Sequence, residues 1–174
     1  MNCTRCLALI IAALPWLPVG ATAAMLNPGD IFPSWQLVDQ SGKTVSSADL
    51  AGSTYLLWFY PKAMTSGCTA EGQGLRDSSA GFAEKKVTIL GVSFDDPKAN
   101  AEFVKEQGFP FRLLSDTDHA LALRVGAAES RDQQVARRIS YLVGPDGKVV
   151  KAYTAVNPGT HAREVLNDLG AASR

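Results

Sequence analysis

Two long apolar runs constrain the fold of this chain more than any other feature. The first lies within residues 53–60 and contains Tyr-Leu-Leu-Trp-Phe-Tyr, and the second is Val-Thr-Ile-Leu-Gly-Val-Ser at residues 87–93. Neither run shows the strict alternation of polar and apolar side chains that is typical of a strand with one face in water. Both runs therefore predict strands in the middle of a sheet, with helices covering both faces.

Helical and turn patterns separate these strands from several others. The spacing of Leu75 and Phe82 predicts a helix over residues 69–85, and Asp96-Pro97 predicts the start of a helix that stops at Gly108. Further strands are predicted at 35–38, 43–45, 112–115, 139–143 and 149–154, with helices at 117–125 and 161–169. This order predicts an α/β protein with a central mixed sheet and helices on both faces, and the thioredoxin-like fold fits it.

The first 24 residues have a different character from the rest of the chain. Arg5 precedes an apolar stretch at residues 7–19, and small residues of the A-x-A type follow it at residues 20–24. This pattern predicts a secretory signal peptide, cleaved after Ala23 or Ala24. An uncleaved anchor is the alternative, although a membrane span needs about 20 apolar residues and prolines interrupt this stretch. We therefore expect one domain at residues 25–174, exported to a bacterial periplasm and without stable membrane association.

Charge and cysteine content narrow the possible functions. Seventeen basic residues balance seventeen acidic ones, which gives no reason to expect a nucleic-acid partner. Cleavage would remove Cys3 and Cys6 and leave Cys68 alone, so no internal disulfide is expected. A lone cysteine is ordinarily a small buried apolar residue, but an unpaired thiol is a chemical liability in an oxidising compartment.

The segment that joins the first apolar strand to the next helix favours a reactive Cys68. Cys68 is expected in the first turn of that helix, where unpaired backbone N–H groups and the helix dipole favour an anion such as a thiolate. Thr65 could turn its hydroxyl toward the sulfur, and Pro61 fixes the chain as it enters the loop. A dithiol oxidoreductase needs C-x-x-C here, whereas this chain has Thr65 in place of the first cysteine. A single activated thiol beside a hydroxyl suits attack on a peroxide.

The pattern P-x-x-x-T-x-x-C from Pro61 to Cys68 resembles the signature of peroxiredoxins. The wider sequence resembles the bacterioferritin-comigratory, or Q-type, branch over residues 27–169, through phrases at 59–77, 113–119 and 138–142. The resemblance implies a thiol-dependent peroxidase that reduces hydrogen peroxide and organic hydroperoxides. It implies that Cys68 attacks the peroxide and becomes a sulfenic acid, that Thr65 holds the peroxide, and that Pro61 walls the pocket. Arg138 would supply the cation that favours the thiolate and stabilises charge on the leaving oxygen.

Two other arginines compete for the role of this cation. Strand alternation sends only one of Arg137 and Arg138 inward, and the resemblance favours Arg138. Arg76 is a weaker candidate, and the alternative is an exposed helix arginine paired with Glu71 or Asp77.

The sequence also departs from the Q-type pattern at the helix that follows Cys68. Many Q-type members carry a resolving cysteine five residues after the peroxidatic one, and here that position is Gln73. We therefore predict a one-cysteine enzyme whose partners are a peroxide and an external thiol, either a small thiol or a thioredoxin-like protein. Gly72 and Gly74 weaken the helix, which suggests the hypothesis that it unwinds locally to admit a bulky reductant.

The sequence leaves other functions open. A copper site built from Met64, His119 and His161 lacks ligand spacing, so neither a metal nor another cofactor is predicted. His119 is expected to cap or pack at a short helix, and Trp35 and Trp58 to lie in the core.

The alternatives to a peroxidase are a non-catalytic thioredoxin-like binding protein and a monothiol redox sensor. We expect a monomer or a weak homodimer.

Overall fold

The computed structural model describes residues 25–171, whose centre is one seven-stranded sheet with the order β2-β1-β5-β4-β3-β6-β7. The strands are β1 (Gln36–Asp39), β2 (Thr44–Ser46), β3 (Thr54–Phe59), β4 (Val87–Ser93), β5 (Arg112–Ser115), β6 (Ile139–Val143) and β7 (Val149–Tyr153). The helices are α1 (Ser66–Asp77), α2 (Ser79–Glu84), α3 (Pro97–Gln107), α4 (Ala120–Arg124) and α5 (His161–Ala171), and a short 3₁₀ helix spans Ser47–Leu50. None of the helices within the described range has the length and apolar content needed to cross a membrane.

The sheet is mixed, as the sequence predicts. Strand β4 runs parallel to both β3 and β5, whereas β6 pairs antiparallel with β3 and with β7, and β1 pairs antiparallel with β2 and β5. The C-terminal end of β3 therefore lies beside the N-terminal end of β6, with Phe59 opposite Ile139. This register places the segment that follows β3 next to the segment that precedes β6, at the same end of these two neighbouring strands.

Strand β3 is buried on both faces, which confirms the prediction from its apolar run. Successive side chains of a strand point to opposite faces, so alternate residues enter two separate apolar clusters. Tyr55, Leu57 and Phe59 join one cluster together with residues of α4. Leu56 and Trp58 join the other, which α1, α2, α3 and α5 cover through Leu75, Phe82, Phe103 and Val165.

The prediction of one helix over residues 69–85 is wrong. The structure has two helices, because α1 begins earlier at Ser66 and ends at Asp77, and α2 begins at Ser79. The break falls within Ser-Ser-Ala-Gly at residues 78–81, where serine and glycine have weak helix propensity. The helix predicted at 117–125 is likewise shorter, spanning Ala120–Arg124, because the buried Asp116 carboxylate accepts hydrogen bonds from the backbone at Leu121 and Ala122 and fixes the start of α4.

Candidate active site

Cys68 lies in the first turn of α1, three residues after the N-cap residue Thr65. Thr65 has extended backbone angles, and its carbonyl accepts a hydrogen bond from the backbone N–H of Thr69 at 2.8 Å. The Cys68 side chain is fully buried, and Cys68 is the sole cysteine between residues 25 and 171. Its sulfur therefore lies near the N-terminal end of a helix, in a setting that favours an anion.

Arg138, the residue immediately before β6, brings its guanidinium group close to this sulfur. Its Nη2 lies 3.4 Å from Cys68 Sγ, within hydrogen-bond range for sulfur, and only 21% of its side chain is exposed. The neighbouring Arg137 points outward, and its Nη1 lies 3.5 Å from Glu129 Oε1. Both arginines precede β6, which begins at Ile139, and Arg138 is the one that faces Cys68.

Glu71 completes the immediate surroundings of the guanidinium. It lies one turn after Cys68 in α1, is fully buried, and accepts a hydrogen bond from Arg138 Nη1 through Oε2. Burial raises the pKa of Glu71, and the hydrogen bond from Arg138 opposes this effect. Burial also disfavours the charge on Arg138, but its hydrogen bonds to Glu71 and Cys68 outweigh that effect and raise the pKa of the guanidinium. Arg138 is therefore a firmly protonated cation beside the sulfur.

His161 lies behind this pair at the first residue of α5. Its ring is fully buried, with Nε2 2.9 Å from Ser140 Oγ and 4.0 Å from Glu71 Oε1. Burial, together with the charge of Arg138, lowers the pKa of His161 to about 4. His161 is therefore neutral at neutral pH, and it packs edge-on against Tyr153 with ring centroids 5.1 Å apart.

Sequence reasoning did not assign Glu71 or His161 to the site. Glu71 could have been found, because residues three apart in a helix share a face and Glu71 follows Cys68 by three. His161 carries no such signal, because only the packing of α5 against α1 brings it to Glu71.

Three other residues that the sequence analysis considered for the site, Thr65, Pro61 and Arg76, make no hydrogen bond to the Cys68 sulfur in the structure. The Thr65 hydroxyl donates to the carbonyl of Lys62 at 2.9 Å instead of turning toward the sulfur, and Pro61 lies half-buried at the start of the loop. Arg76 stays outside the site: its Nε lies 2.8 Å from Asp77 Oδ1 and its Nη1 donates to the carbonyl of Gln107. The pairing with Asp77 matches one of the two expected partners, whereas Glu71, the other, is engaged by Arg138.

The residues that follow Glu71 fix α1 against α3 and the aromatic core. Gln73, at the position of the resolving cysteine in many Q-type members, donates from Nε2 to Gln107 Oε1 at 2.9 Å. A Cβ on Gly72 would lie 2.4 Å from the Phe109 ring, so Gly72 permits a close approach of the helix to that ring. Gly74 has more room, since its Cβ would meet only Ala162 at 3.8 Å.

The two histidines that were considered as copper ligands and rejected have separate partners in the structure. The His119 ring stacks on Phe94 with centroids 3.7 Å apart, at the N-cap of α4, and His161 is engaged with Ser140. Within residues 25–171 no group of three or more His, Cys, Asp or Glu side chains could hold a metal ion. Trp35 and Trp58 are buried in the core, as expected.

A model of the AhpC/TSA family matches residues 28–152, which include every residue of the site except His161. This chain belongs to the AhpC/TSA family. Its relatives include peroxiredoxin Bcp of Escherichia coli, 36% identical over 147 residues that cover 82% of this chain and 94% of the relative. Peroxiredoxin Bcp of Bacillus subtilis is 33% identical over 146 residues, covering 81% of this chain and 93% of the relative.

Solved structures similar to this AhpC/TSA member are also peroxiredoxins. A PrxQ mutant from Xylella fastidiosa superposes with a TM-score of 0.80 at 30% identity, over 87% of this chain and 99% of that one. The bacterioferritin comigratory protein of Xanthomonas campestris, studied for its alkyl peroxide reduction activity, gives a TM-score of 0.74 at 32% identity, over 80% and 92% of the two chains. The predicted fold and the resemblance to Q-type peroxiredoxins are confirmed. The chain is a thiol peroxidase, and thus an oxidoreductase.

Proposed function

We propose that this peroxiredoxin is a one-cysteine enzyme in which Cys68 alone reacts with peroxide and an external thiol regenerates it. The observation that carries the proposal is the contact of Arg138 Nη2 with the buried Cys68 sulfur, 3.4 Å away in the first turn of α1. A cation and a helix N-terminus together favour the thiolate, which is the nucleophilic form of cysteine.

The chemistry follows from this arrangement in two stages. The Cys68 thiolate attacks the terminal oxygen of the peroxide, the O–O bond breaks, and the leaving oxygen departs as water or an alcohol after taking up a proton. The sulfur is oxidised by two electrons to a sulfenic acid. One external thiol then forms a mixed disulfide with Cys68 and releases water, and a second thiol reduces that disulfide.

Three residues assist the first stage in this proposal. Arg138 stabilises the thiolate and the charge that develops on the leaving oxygen. Thr65 hydrogen-bonds the bound peroxide, for which its hydroxyl turns away from the Lys62 carbonyl that it contacts in this structure. Pro61, half-buried and without an N–H group, shields the pocket from water.

The need for an external thiol rests on the position five residues after Cys68. Gln73 occupies it and bonds to Gln107, and the only other cysteines of the sequence, Cys3 and Cys6, lie in the proposed signal peptide. The reductant class that we propose is a small thiol or a thioredoxin-like protein, acting on a monomer or a weak homodimer.

We also propose that the protein is exported to a bacterial periplasm after removal of residues 1–24. The support is the sequence pattern of Arg5, an apolar centre and A-x-A. Leu26, just after the proposed cleavage point, already contacts the domain, since its N–H donates to the Tyr141 hydroxyl at 3.2 Å. Mass spectrometry of the protein from a periplasmic fraction tests this proposal. A mature chain starting at Ala24 or Met25 would support it, and an intact N-terminus would overturn it.

Single-turnover kinetics test the one-cysteine proposal. Residues 25–174 are mixed with one equivalent of hydrogen peroxide without reductant, beside Cys68→Ser, and the sulfenic acid is trapped with a cyclic dione. We expect stoichiometric peroxide loss and one trapped adduct in the wild type, and neither in the variant. Peroxide loss that persists in Cys68→Ser would overturn the role of Cys68. If the protein recovered from the periplasmic fraction kept Cys3 or Cys6 and formed a disulfide between one of them and Cys68 after peroxide treatment, the one-cysteine mechanism would be overturned.

A further inference from the structure

The loop at residues 61–65 carries Pro61 and Thr65, and its backbone is hydrogen-bonded to Asp95, two residues after the end of β4. The N–H of Ala63 donates to Asp95 Oδ2 at 2.8 Å. The same oxygen accepts a second hydrogen bond from Ser93 Oγ at 2.9 Å. The Asp95 N–H in turn donates to Ser93 Oγ at 3.2 Å, so the aspartate is fixed by its own turn before it reaches the loop.

A network of buried polar side chains lies next to the turn that Ser93 and Asp95 form. The Tyr60 hydroxyl donates to Asn100 Oδ1 at 2.5 Å, and Asn100 Nδ2 donates to Ser115 Oγ at 3.1 Å. The Tyr60 and Asn100 side chains are fully buried, as is Ser93, whose Oγ lies 3.5 Å from Asn100 Oδ1. The residue just before the loop and the middle of the loop are therefore both tied to the segment 93–100.

The loop needs such a tie because one of its residues has an unfavourable backbone conformation. Met64 has φ of +64°, which residues other than glycine rarely adopt. Its side chain is 45% exposed, so packing contributes little to holding this conformation. Conformations of this kind persist only where surrounding contacts impose them. The hydrogen bond of Ala63 to Asp95 on one side and that of Thr65 to the Lys62 carbonyl on the other supply such contacts.

We propose that Asp95 is a positioning residue of the peroxidase site, which acts through the backbone of Ala63 to place Pro61 and Thr65 over the Cys68 sulfur. The proposal rests on the proposed function in one respect, namely that the loop holds the peroxide. The loop geometry matters only to a reagent that must be bound and oriented in the pocket. A small alkylating reagent has to reach the buried thiolate but needs no bound orientation, so its rate reports on the reactivity and accessibility of Cys68 and not on the placement of Pro61 and Thr65.

The test compares two reactions of Cys68 in variants of the mature protein. We expect Asp95→Ala to lower the second-order rate constant for hydrogen peroxide about 10- to 100-fold, since a misplacement of about 1 Å can cost that much. The rate of alkylation by iodoacetamide should not fall by more than about threefold, because Arg138 and the start of α1 do not bond to Asp95 and a displaced loop leaves the buried sulfur at least as accessible. Asp95→Asn should restore most of the peroxide rate, because a single amide oxygen can accept both hydrogen bonds.

Asp96 offers a matched control one residue away. Its Oδ1 caps α3 by accepting from the Ala99 N–H at 2.8 Å, and it does not bond to the loop. Asp96→Ala should therefore keep both rates while lowering the denaturation midpoint. If Asp95→Ala does not fold, Asp95→Glu, which displaces the carboxylate by one methylene, is expected to show the same selective loss.

The outcomes separate this proposal from the proposed function. A wild-type peroxide rate in folded Asp95→Ala, an equal fall in peroxide and alkylation rates, or an Asn variant as slow as the Ala variant would each overturn the positioning role. Absence of a Cys68-dependent peroxide reaction in the wild type would instead overturn the proposed function.

Discussion

Glu71 holds Arg138 against the active-site sulfur. The buried carboxylate accepts from Nη1 of the guanidinium, and Nη2 of the same group lies 3.4 Å from Cys68 Sγ. Because the guanidinium is planar and its N–H groups have fixed directions, the contact with Glu71 also sets the direction of the N–H group that faces Cys68. The position of the Arg138 guanidinium at the sulfur therefore depends on Glu71, which has no chemical role of its own in the proposed reaction.

Removal of the Glu71 carboxylate should destabilise the fold. We expect Glu71→Ala to lower the free energy of unfolding by about 3 kcal/mol, because it leaves the largely buried Arg138 without its ionic partner. Glu71→Gln should cost less, because the amide oxygen still accepts from Arg138. Denaturant unfolding measures both values, with the exposed Glu102→Ala as a control expected within about 0.5 kcal/mol of wild type. A loss no larger than that of the control would contradict the importance of this pair.

Arg138→Lys should lower the rate constant for peroxide about 100-fold, although the charge is kept. A lysine ammonium is a point charge without the fork that lets Arg138 contact Cys68 and Glu71 at once. Stopped-flow measurement beside Arg137→Lys gives a matched comparison, since the exposed Arg137 contacts Glu129 and should tolerate the change. Full activity in Arg138→Lys would mean that charge alone suffices.

Gly72 and Gly74 should respond oppositely to alanine. Gly72→Ala is expected to lower the free energy of unfolding by about 1–3 kcal/mol, because its Cβ would lie 2.4 Å from the Phe109 ring. Gly74→Ala should raise it by about 0.5–1 kcal/mol, since its Cβ has space and alanine favours the helix. Denaturant unfolding distinguishes the two, and a similar change in both would show that packing at Phe109 is not the cause.

The same Gly74→Ala variant tests the hypothesis that α1 unwinds to admit a bulky reductant. A stiffer helix should slow recycling by a thioredoxin-like protein while the single-turnover rate with peroxide stays unchanged. Equal recycling rates in the variant and the wild type would count against unwinding. Gly72 is unsuitable for this purpose, because its substitution also disturbs the core at Phe109.

Acid should destabilise this protein through His161. Its pKa is about 4 in the folded chain and about 6.5 when unfolded, so between these values the unfolded chain binds a proton that the folded chain does not. The free energy of unfolding therefore falls as the pH drops from about 6.5 toward 4, by about 2 kcal/mol at pH 5 for this group. His161→Gln removes this titration and can still hydrogen-bond Ser140.

Denaturant unfolding at pH 8 and pH 5 measures the effect as the difference between wild type and His161→Gln. The raised pKa of Glu71 acts in the opposite direction, because the folded chain takes up that proton more readily, but Glu71 is present in both proteins. Equal losses of stability in the two proteins between pH 8 and pH 5 would show that His161 does not titrate as its burial requires.

Local patterns in the sequence predict much of this fold. The apolar runs of β3 and β4 predict burial on both faces, and both strands do contribute side chains to the two apolar clusters, although Thr88 of β4 is exposed. Asp96-Pro97 and Gly108 bound α3 as their capping chemistry requires. The break at Ser78 was missed because the helical spacing of Leu75 and Phe82 continues across it. Spacing alone therefore gives the helical faces but not the continuity of the helix.

The sequence by itself determined the sheet's buried strands, the place of Cys68 at a strand-to-helix junction, and the lack of a cysteine at Gln73. These features depend on side-chain periodicity and on residue identity within a few positions. The tertiary structure alone decided the neighbours of Cys68. The pairing of β6 with β3 brings Arg138 to the sulfur, the end of β4 brings Asp95 to Ala63, and the packing of α5 on α1 brings His161 to Glu71. Such contacts join residues far apart in the chain, and their partners are fixed by sheet register and helix packing, which no local pattern encodes.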